Sequence, residues 1–222
     1  MSATRPKVLF VYYTYSQQTR RVVEAMTDVL RERGCEVEQA RIEFTDPRYT
    51  DLFSQFPFRH AYLAVARMVS PQLRHATGEI RVPDIVREGG YDFVCIASPT
   101  WWLNPCMPIR SFLESDLAGT VLAGKRFAAI VVCHRYWKNN LATLKALGIK
   151  KGGKFVNGTH FIAAGGPVGS MLALMGYLAT GVVQDRYLGG KLPPPNLQPS
   201  YAGEARAFAG ELADGLGCKA RG

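Results

Sequence analysis

The chain reads KVLFVYYTYSQQTRRVVEAMTDVLRERG over residues 7–34, and this stretch indicates the fold class most clearly. The apolar run from Lys7 to Tyr13 predicts a buried strand, because strands covered on both faces need apolar side chains throughout. From Thr19 onward the apolar residues recur at helical spacing, and Gly34 is placed to end the predicted helix. A buried strand that leads directly into a helix begins a βαβ unit, which predicts a parallel sheet.

The rest of the chain repeats this alternation of strands and helices. Further strands are predicted at residues 35–44, 91–97, 125–133 and 159–164. Further helices are predicted after Pro105, near Leu141, and from Tyr201 to the last apolar position at Leu216. We therefore expect an α/β fold with five parallel strands covered by helices on both faces. A ligand site is expected at the carboxyl ends of the strands.

Two segments do not fit the alternation. Residues 45–81 exceed an ordinary connection and mix apolar residues with arginines and histidines, so an amphipathic helix is predicted in part of them. Four interpretations of this insertion stay open: a core-packing extension, a lid, a dimer surface, or a helix in a membrane interface. Residues 189–200, GGKLPPPNLQPS, predict an extended connector, which with a C-terminal helix would occupy residues 189–216. We expect residues 1–222 to form a single domain.

Charge and cysteine content limit the possible functions. The net charge of +9 favours anionic partners, namely phosphates, a nucleotide cosubstrate, nucleic acid or an anionic membrane, and a solvated basic surface is the alternative. The basic residues are scattered along the chain, so nucleic acid is not expected as a partner. Five cysteines without a CxxC pair predict neither a disulfide framework nor a metal site. Reduced thiols in a cytoplasmic protein are the simplest interpretation.

Apolar stretches in the chain are short or interrupted. Residues 8–13 are too few for the apolar part of a signal peptide. The longest nearly uncharged stretch, residues 155–184, contains several glycines, a proline and His160. We interpret it as loop and core rather than as a membrane span, and we expect no stable insertion into a membrane.

The first loop, residues 14–19, joins the first strand to the first helix and reads TYSQQT. Hydroxyl groups stand at its first, third and sixth positions. Free backbone N–H groups at a helix N-terminus converge on one point, where the helix dipole adds positive potential. Together these groups suit a phosphate, whereas an ordinary helix cap needs only one hydroxyl. The loop lacks the glycines and the lysine of the common nucleotide-binding loops.

The second loop, residues 98–105, follows the third predicted strand and reads SPTWWLNP. Two adjacent tryptophans at the carboxyl end of a strand can form a wall for a flat aromatic ligand, and nearby backbone amides can bond its polar edge. The alternative is that both tryptophans only pack against the insertion.

TYSQQT after a buried strand and YDFVCIASPTWWLNPCMPIRSFLE at residues 91–114 resemble the flavodoxin-like FMN family, which includes flavodoxins and NAD(P)H-dependent FMN oxidoreductases. The resemblance covers residues 7–44 and 91–165, and its second motif is the more specific. It implies a flavodoxin-like three-layer sandwich with a five-stranded parallel sheet in the order 2-1-3-4-5, plus a helical insertion between strands 2 and 3. It also implies non-covalently bound FMN.

By position in these motifs, the resemblance assigns the phosphate to the first loop and the isoalloxazine ring to the second. The phosphate residues are Thr14, Tyr15, Ser16, Gln17, Gln18 and Thr19, and the ring residues are Pro99, Thr100, Trp101, Trp102, Leu103 and Asn104. The chain departs from the family at Gln17, where flavodoxins usually have glycine, and in the insertion, which a minimal flavodoxin lacks.

The third loop, residues 133–139, follows the fourth predicted strand, and in the family this loop closes over the other edge of the ring. Tyr136 or Trp137 could stack on the ring, and His134 or Arg135 could reach its pyrimidine edge. An exposed basic turn is the alternative. A further turn is predicted at residues 165–169.

Charge near the three loops bears on function, because the first two contain no Asp or Glu and the third contains Arg135 and Lys138. Positive charge near a reduced flavin stabilises its anionic form and attracts an anionic nicotinamide cofactor. We therefore favour an NAD(P)H-dependent oxidoreductase that reduces a quinone or similar small acceptor. A flavodoxin-type electron carrier for a partner enzyme is the main alternative, and a protein that has lost its flavin is the third. A homodimer is possible, and no side chain is assigned as catalytic.

Overall fold

The computed structural model describes residues 5–53, 56–165, 167–187 and 190–218. Its strands are β1 (Lys7–Tyr12), β2 (Glu36–Arg41), β3 (Glu43–Phe44), β4 (Ile80–Arg81), β5 (Phe93–Trp101), β6 (Asn104–Pro105), β7 (Arg126–Cys133), β8 (Lys154–Ile162), β9 (Arg186–Tyr187) and β10 (Gly190–Lys191). Its helices are α1 (Gln18–Glu32), α2 (Thr50–Phe53), α3 (Ala61–Leu73), α4 (Ile85–Glu88), α5 (Met107–Glu114), α6 (Asp116–Leu122), α7 (Trp137–Lys150), α8 (Pro167–Thr180) and α9 (Tyr201–Leu216).

The main sheet has five parallel strands in the order β2-β1-β5-β7-β8. When these five strands are numbered in chain order, this is the predicted order 2-1-3-4-5, so the predicted topology is confirmed. Two predicted strands have different ends: β2 stops at Arg41 and β8 begins at Lys154.

Helices cover both faces of the sheet because alternate strand residues point to opposite sides. On one face, Val8 and Phe10 of β1 belong to a buried cluster with Met26 of α1 and Phe208 of α9. On the other face, Leu9 and Val11 belong to a cluster with the other helices, including Ile109 and Phe112 of α5 and Leu144 of α7. The result is the predicted three-layer sandwich.

The insertion after β2 forms α2 and α3 and is closed at its base by antiparallel pairing of β3 with β4. Its apolar side chains form a third cluster, which includes Phe58 and Met68. Met175 and Leu178 of α8 complete that cluster, and the Phe58 N–H donates to the Leu178 carbonyl at 2.7 Å. The insertion and α8 are thereby joined into one apolar layer.

The interpretation of residues 155–184 as loop and core is wrong for α8, a helix of 14 residues. The glycines in this segment favour a loop, but tertiary contacts with the insertion stabilise the helix in spite of those glycines. The predicted turn at residues 165–169 is also shorter than expected: Gly165 has a φ of 94°, Gly166 lies outside the described residues, and α8 has begun by Pro167. Within the described ranges, no helix is both long and apolar enough to cross a bilayer.

The connector before α9 crosses the end of the sheet. Gly189 lies outside the described residues, and β9 and β10 flank that position as an antiparallel pair. Farther along, Leu197 forms an antiparallel bridge with Ala163, and the Ala164 N–H donates to the Asn196 carbonyl at 3.1 Å. The connector is therefore held at the carboxyl end of β8.

Cys35, after α1, and Cys218, after α9, form a disulfide bond. The expectation of reduced thiols is wrong for this pair, whereas Cys95, Cys106 and Cys133 are free and buried. The bonded residues are 183 positions apart and come together because α1 and α9 pack side by side on one face of the sheet. Cysteine spacing contains no signal of that packing.

Candidate functional site

A cavity of about 290 Å³ lies at the carboxyl ends of β1, β5, β7 and β8. Thirteen of the fifteen residues predicted to bind a cofactor line it: Thr14, Tyr15, Ser16, Gln18, Thr19, Pro99, Thr100, Trp101, Trp102, Leu103, His134, Arg135 and Tyr136. Gln17 and Asn104 lie beside the cavity and are not part of its wall. Three loops that are far apart in sequence therefore meet at one site.

The first loop ends in the N-terminus of α1. The Arg21 N–H is bonded to the Gln17 carbonyl at 3.1 Å, which is the first turn of the helix. The N–H groups before it have no acceptor within the helix and are available to an anion. Thr14 and Thr19 are each only 2% exposed, so their hydroxyl groups are sheltered from bulk solvent.

Two polar atoms of this loop are buried without a hydrogen-bond partner among the described residues: Thr14 Oγ1 and Gln17 Oε1. A buried hydroxyl without a partner costs free energy, so a folded protein normally provides one. Thr14 lines the cavity, and its hydroxyl can donate to a ligand oxygen there. This arrangement fits a phosphate.

Gln17 has a φ of 65° and a ψ of 0°, in the left-handed region. Glycine adopts this conformation without strain, and glutamine does not. This explains in physical terms why glycine is common at this position in the family that the sequence resembles.

Gln18 was predicted to bind the phosphate as part of the first loop, and its side chain contacts the connector. Its Nε2 donates to Asn196 Oδ1 at 2.9 Å, and its Oε1 accepts from the Leu197 N–H at 3.3 Å. The side chain thus holds the connector against the first loop. Only the backbone N–H of Gln18 is left to face an anion.

The second loop is a β-hairpin between β5 and β6, with Trp102 and Leu103 at its tip. Their φ values are 45° and 70°, which is the geometry of a two-residue hairpin turn usually made by Asn-Gly. Non-glycine residues in this region are strained, and such strain is concentrated at functional sites. Trp102 is 40% exposed and Leu103 is 42% exposed at the mouth of the cavity.

Two buried amides, Asn104 and Gln72, and the exposed amide of Asn139 hold this hairpin. Asn104 donates to the Trp102 carbonyl at 3.1 Å and accepts from Asn139 Nδ2 at 3.1 Å. Gln72 of α3 is 1% exposed and donates to the Trp101 carbonyl at 3.0 Å. Asn104 was predicted to line the ring site, but its amide is used to fix the turn.

Trp101 packs against the insertion. This agrees with the alternative interpretation of the two tryptophans, in which they pack against that segment. Its ring stacks on Phe53 with centroids 5.0 Å apart and meets Tyr13 edge-on at 5.6 Å. It still lines the cavity on its remaining side. Trp102, in contrast, lies at the hairpin tip, where it is partly exposed and lines the mouth of the cavity.

The third loop contributes His134, Arg135 and Tyr136 to the cavity. Burial lowers the pKa of His134 to about 4, so its imidazole is neutral at pH 7. Its Nδ1 is buried and has no partner in the described part of the chain. Tyr136 has a φ of 61° and is 58% exposed, with the Arg135 guanidinium 5.5 Å from its ring centroid.

Trp137 was one of two residues predicted to be able to stack on the flavin ring, and the structure places it elsewhere. Its ring stacks on His160 at 3.7 Å and is not among the residues lining the cavity. Asn140, which follows in α7, is fully buried and donates to Thr100 Oγ1 at 2.8 Å. Asn140 therefore ties the third loop to the second.

One wall of the cavity was predicted only in part, because a lid was among the interpretations of the insertion but none of its residues was assigned to the site and α8 was not predicted. The insertion and α8 supply only apolar side chains to it: Phe53, Phe58, Ala64, Val65, Met68, Met171, Leu174, Met175 and Leu178. Among the described residues that line the cavity, none is Asp or Glu. The methionines and leucines of α8 could have indicated this wall, had α8 been recognised as a helix.

Two solved structures are similar to this chain. A flavoprotein in complex with FMN from Lactobacillus acidophilus NCFM is 17% identical, with a TM-score of 0.54 over 70% of this chain and 93% of its own. A flavodoxin from the domain Archaea is 11% identical, with a TM-score of 0.52 over 95% of this chain and 99% of its own. No protein-family model matches the chain, and no curated protein matches its sequence. The sheet order and these two likenesses together show that this chain has the flavodoxin-like fold.

Proposed function

We propose that the cavity binds FMN and that the protein is an NAD(P)H-dependent oxidoreductase acting on a small, apolar acceptor such as a quinone. The observation that carries the proposal is the buried Thr14 hydroxyl, which has no partner among the described residues and lies beside the N-terminus of α1, in a cavity also walled by Trp101. A solved structure with the same fold holds FMN, which supports the same ligand here.

The residues of the three loops would divide the work of binding. The hydroxyls of Thr14, Ser16 and Thr19 and the N–H groups that begin α1 would hold the phosphate. The strained hairpin at Trp102 would present backbone amides and an aromatic surface to the ring. Tyr136 would cover the ring from the third loop.

FMN, when bound, supplies hydride and electron transfer, so the chain has only to orient the reactants and set the electrostatics. His134 presents a neutral imidazole, and Arg135 an exposed cation. With no carboxylate in the described lining, the site favours negative charge, which suits an anionic nicotinamide cofactor. The apolar wall from α3 and α8 provides a surface for an uncharged acceptor.

An electron carrier is the second candidate, and one observation favours it. One of the two similar structures is a flavodoxin, and its match spans 95% of this chain. A carrier would accept electrons from a protein partner and would not react with a free nicotinamide cofactor.

Anaerobic mixing distinguishes the two candidates. Purified protein is loaded with FMN, freed of excess, and mixed with NADPH or NADH while the visible flavin absorbance is followed. Rapid bleaching, followed by recovery of absorbance on addition of 1,4-naphthoquinone, is expected. FMN-loaded protein that stays yellow with both cofactors would refute the oxidoreductase and leave the carrier, whereas protein that binds no FMN would refute both.

A further inference from the structure

Most exposed apolar side chains lie in or next to the segments that also contribute lining residues to the cavity. Fourteen large apolar side chains are exposed in the described ranges. Four lie in residues 56–73, three at residues 102, 103 and 136, and five in residues 168–183; only Ile149 and Val156 lie elsewhere. We call these twelve side chains the apolar rim. Exposed apolar groups this concentrated mark an interaction surface.

The insertion and α8, which carry much of the rim, contact each other. Phe56 packs against Tyr177 with ring centroids 5.1 Å apart, and the hydrogen bond from Phe58 to Leu178 lies beside this contact. Helix α8 contains no charged residue in its 14 positions, yet its Val168 is 74% exposed and its Leu172 is 40% exposed. Leu63 of α3 is 56% exposed. Exposure of these apolar side chains to water is unfavourable, so α3 and α8 would gain free energy if the side chains were buried.

The charges around the rim have one predominant sign. Residues 48–76, 133–140 and 163–198 contain eight Arg or Lys, two Asp and no Glu. Asp51 pairs with Arg67 at 2.9 Å. Six cations in these segments are exposed and form no ion pair with any described residue: Arg59, Arg74, Arg135, Lys138, Arg186 and Lys191.

We propose that the apolar rim and its cations bind the surface of an anionic phospholipid bilayer, with α3 and α8 lying in the interface. Apolar side chains enter the boundary between headgroups and acyl chains, and the cations pair with lipid phosphates. A second copy of the chain fits the surface less well, since a two-fold contact would set the same cations against each other. The inference goes beyond the proposed function and does not depend on FMN.

Co-sedimentation with vesicles tests the proposal. The full chain is mixed with vesicles of phosphatidylcholine alone, or with about 30 mol % phosphatidylglycerol added to provide negative charge. Binding to the anionic vesicles, weaker binding to the neutral ones, and loss on raising NaCl from about 0.1 M to about 0.5 M are expected. Equal binding to both vesicle types, or binding to neither, overturns the proposal.

Two double variants, each with a matched control, identify the surface. Leu63→Glu with Leu172→Glu should abolish sedimentation, and Ile149→Glu with Val156→Glu, at the two exposed apolar positions outside the rim, should not. Arg59→Gln with Arg74→Gln should lower the partition coefficient roughly 30-fold, about 5-fold per cation. Arg21→Gln with Lys150→Gln removes the same charge from elsewhere and should have much less effect.

Further outcomes would overturn the assignment. If the control variants lose as much binding as the rim variants, general charge or instability accounts for the result. The protein could instead bind neither vesicle type and form a dimer in light scattering. If Leu63→Glu with Leu172→Glu then dissociates that dimer, the rim is an interface between copies of this chain.

Discussion

Replacing Thr14 with valine should stabilise the ligand-free protein and at the same time weaken its binding of FMN. Thr14 is 2% exposed, and its Oγ1 is buried without a hydrogen-bond partner among the described residues. Valine has nearly the same shape and no hydroxyl. The substitution therefore removes an unsatisfied polar group from the free protein and a hydrogen-bond donor from the complex.

The two effects can be given magnitudes. A buried polar group without a partner costs about 1–3 kcal/mol, so Thr14→Val should raise the free energy of unfolding by at least about 1 kcal/mol. A hydrogen bond to a charged phosphate contributes about 1.5–3 kcal/mol, so the Kd for FMN should rise roughly 10- to 150-fold. Urea denaturation of the ligand-free protein measures the first effect, and titration of FMN fluorescence measures the second.

Thr27 provides the matched control, because it is an equally buried threonine of α1 whose hydroxyl is used. It is 1% exposed, and its Oγ1 accepts a hydrogen bond from Gln39 Nε2 at 3.1 Å. Thr27→Val should lower the free energy of unfolding by about 1 kcal/mol and leave FMN affinity unchanged. If Thr14→Val instead behaves as Thr27→Val does, destabilising the protein without loss of affinity, the Thr14 hydroxyl has a structural partner and the reasoning is wrong.

Other residues yield further predictions. Gln17→Gly relieves a left-handed φ and should raise the free energy of unfolding by about 1 kcal/mol in urea denaturation; a decrease would contradict the strain argument. Burial lowers the pKa of His134 to about 4, so the imidazole binds a proton more readily in the unfolded chain than in the folded protein. The free energy of unfolding should therefore fall by roughly 2–3 kcal/mol from about pH 6.5 to pH 4. His134→Asn should flatten this part of the stability profile, and a slope that persists would assign it to other groups. Thiol titration of the denatured, unreduced chain should find three free cysteines of five. The Cys218→Ser variant has four cysteines, and all four should be free because Cys35 has lost its partner.

The sheet could be predicted from the sequence because each central strand is a continuous apolar run. Residues 8–13 and 93–97 contain no charged or amide side chain that could form a solvent-facing side, so both faces had to be covered. The first loop could also be predicted from the sequence. The change from a strand pattern to a helix pattern places Thr14 and Thr19 on either side of the start of a helix.

The hairpin tip and the apolar wall depend on tertiary structure and could not be predicted. Trp102 and Leu103 are poor choices for a turn with two positive φ values, and the amides of Gln72 and Asn104 from separate segments hold them there. In the same way, α8 has no polar face to mark it as a helix, because the insertion covers one side of it and the other side is exposed and apolar.

The claim that the cavity binds FMN through its phosphate is tested most directly by comparing FMN with riboflavin, which has the same ring and no phosphate. Both are titrated into the ligand-free protein, and their Kd values are measured by flavin fluorescence. Two hydrogen bonds to the phosphate at about 1.5 kcal/mol each predict that FMN binds roughly 100-fold more tightly. Equal affinities would contradict the account of the first loop.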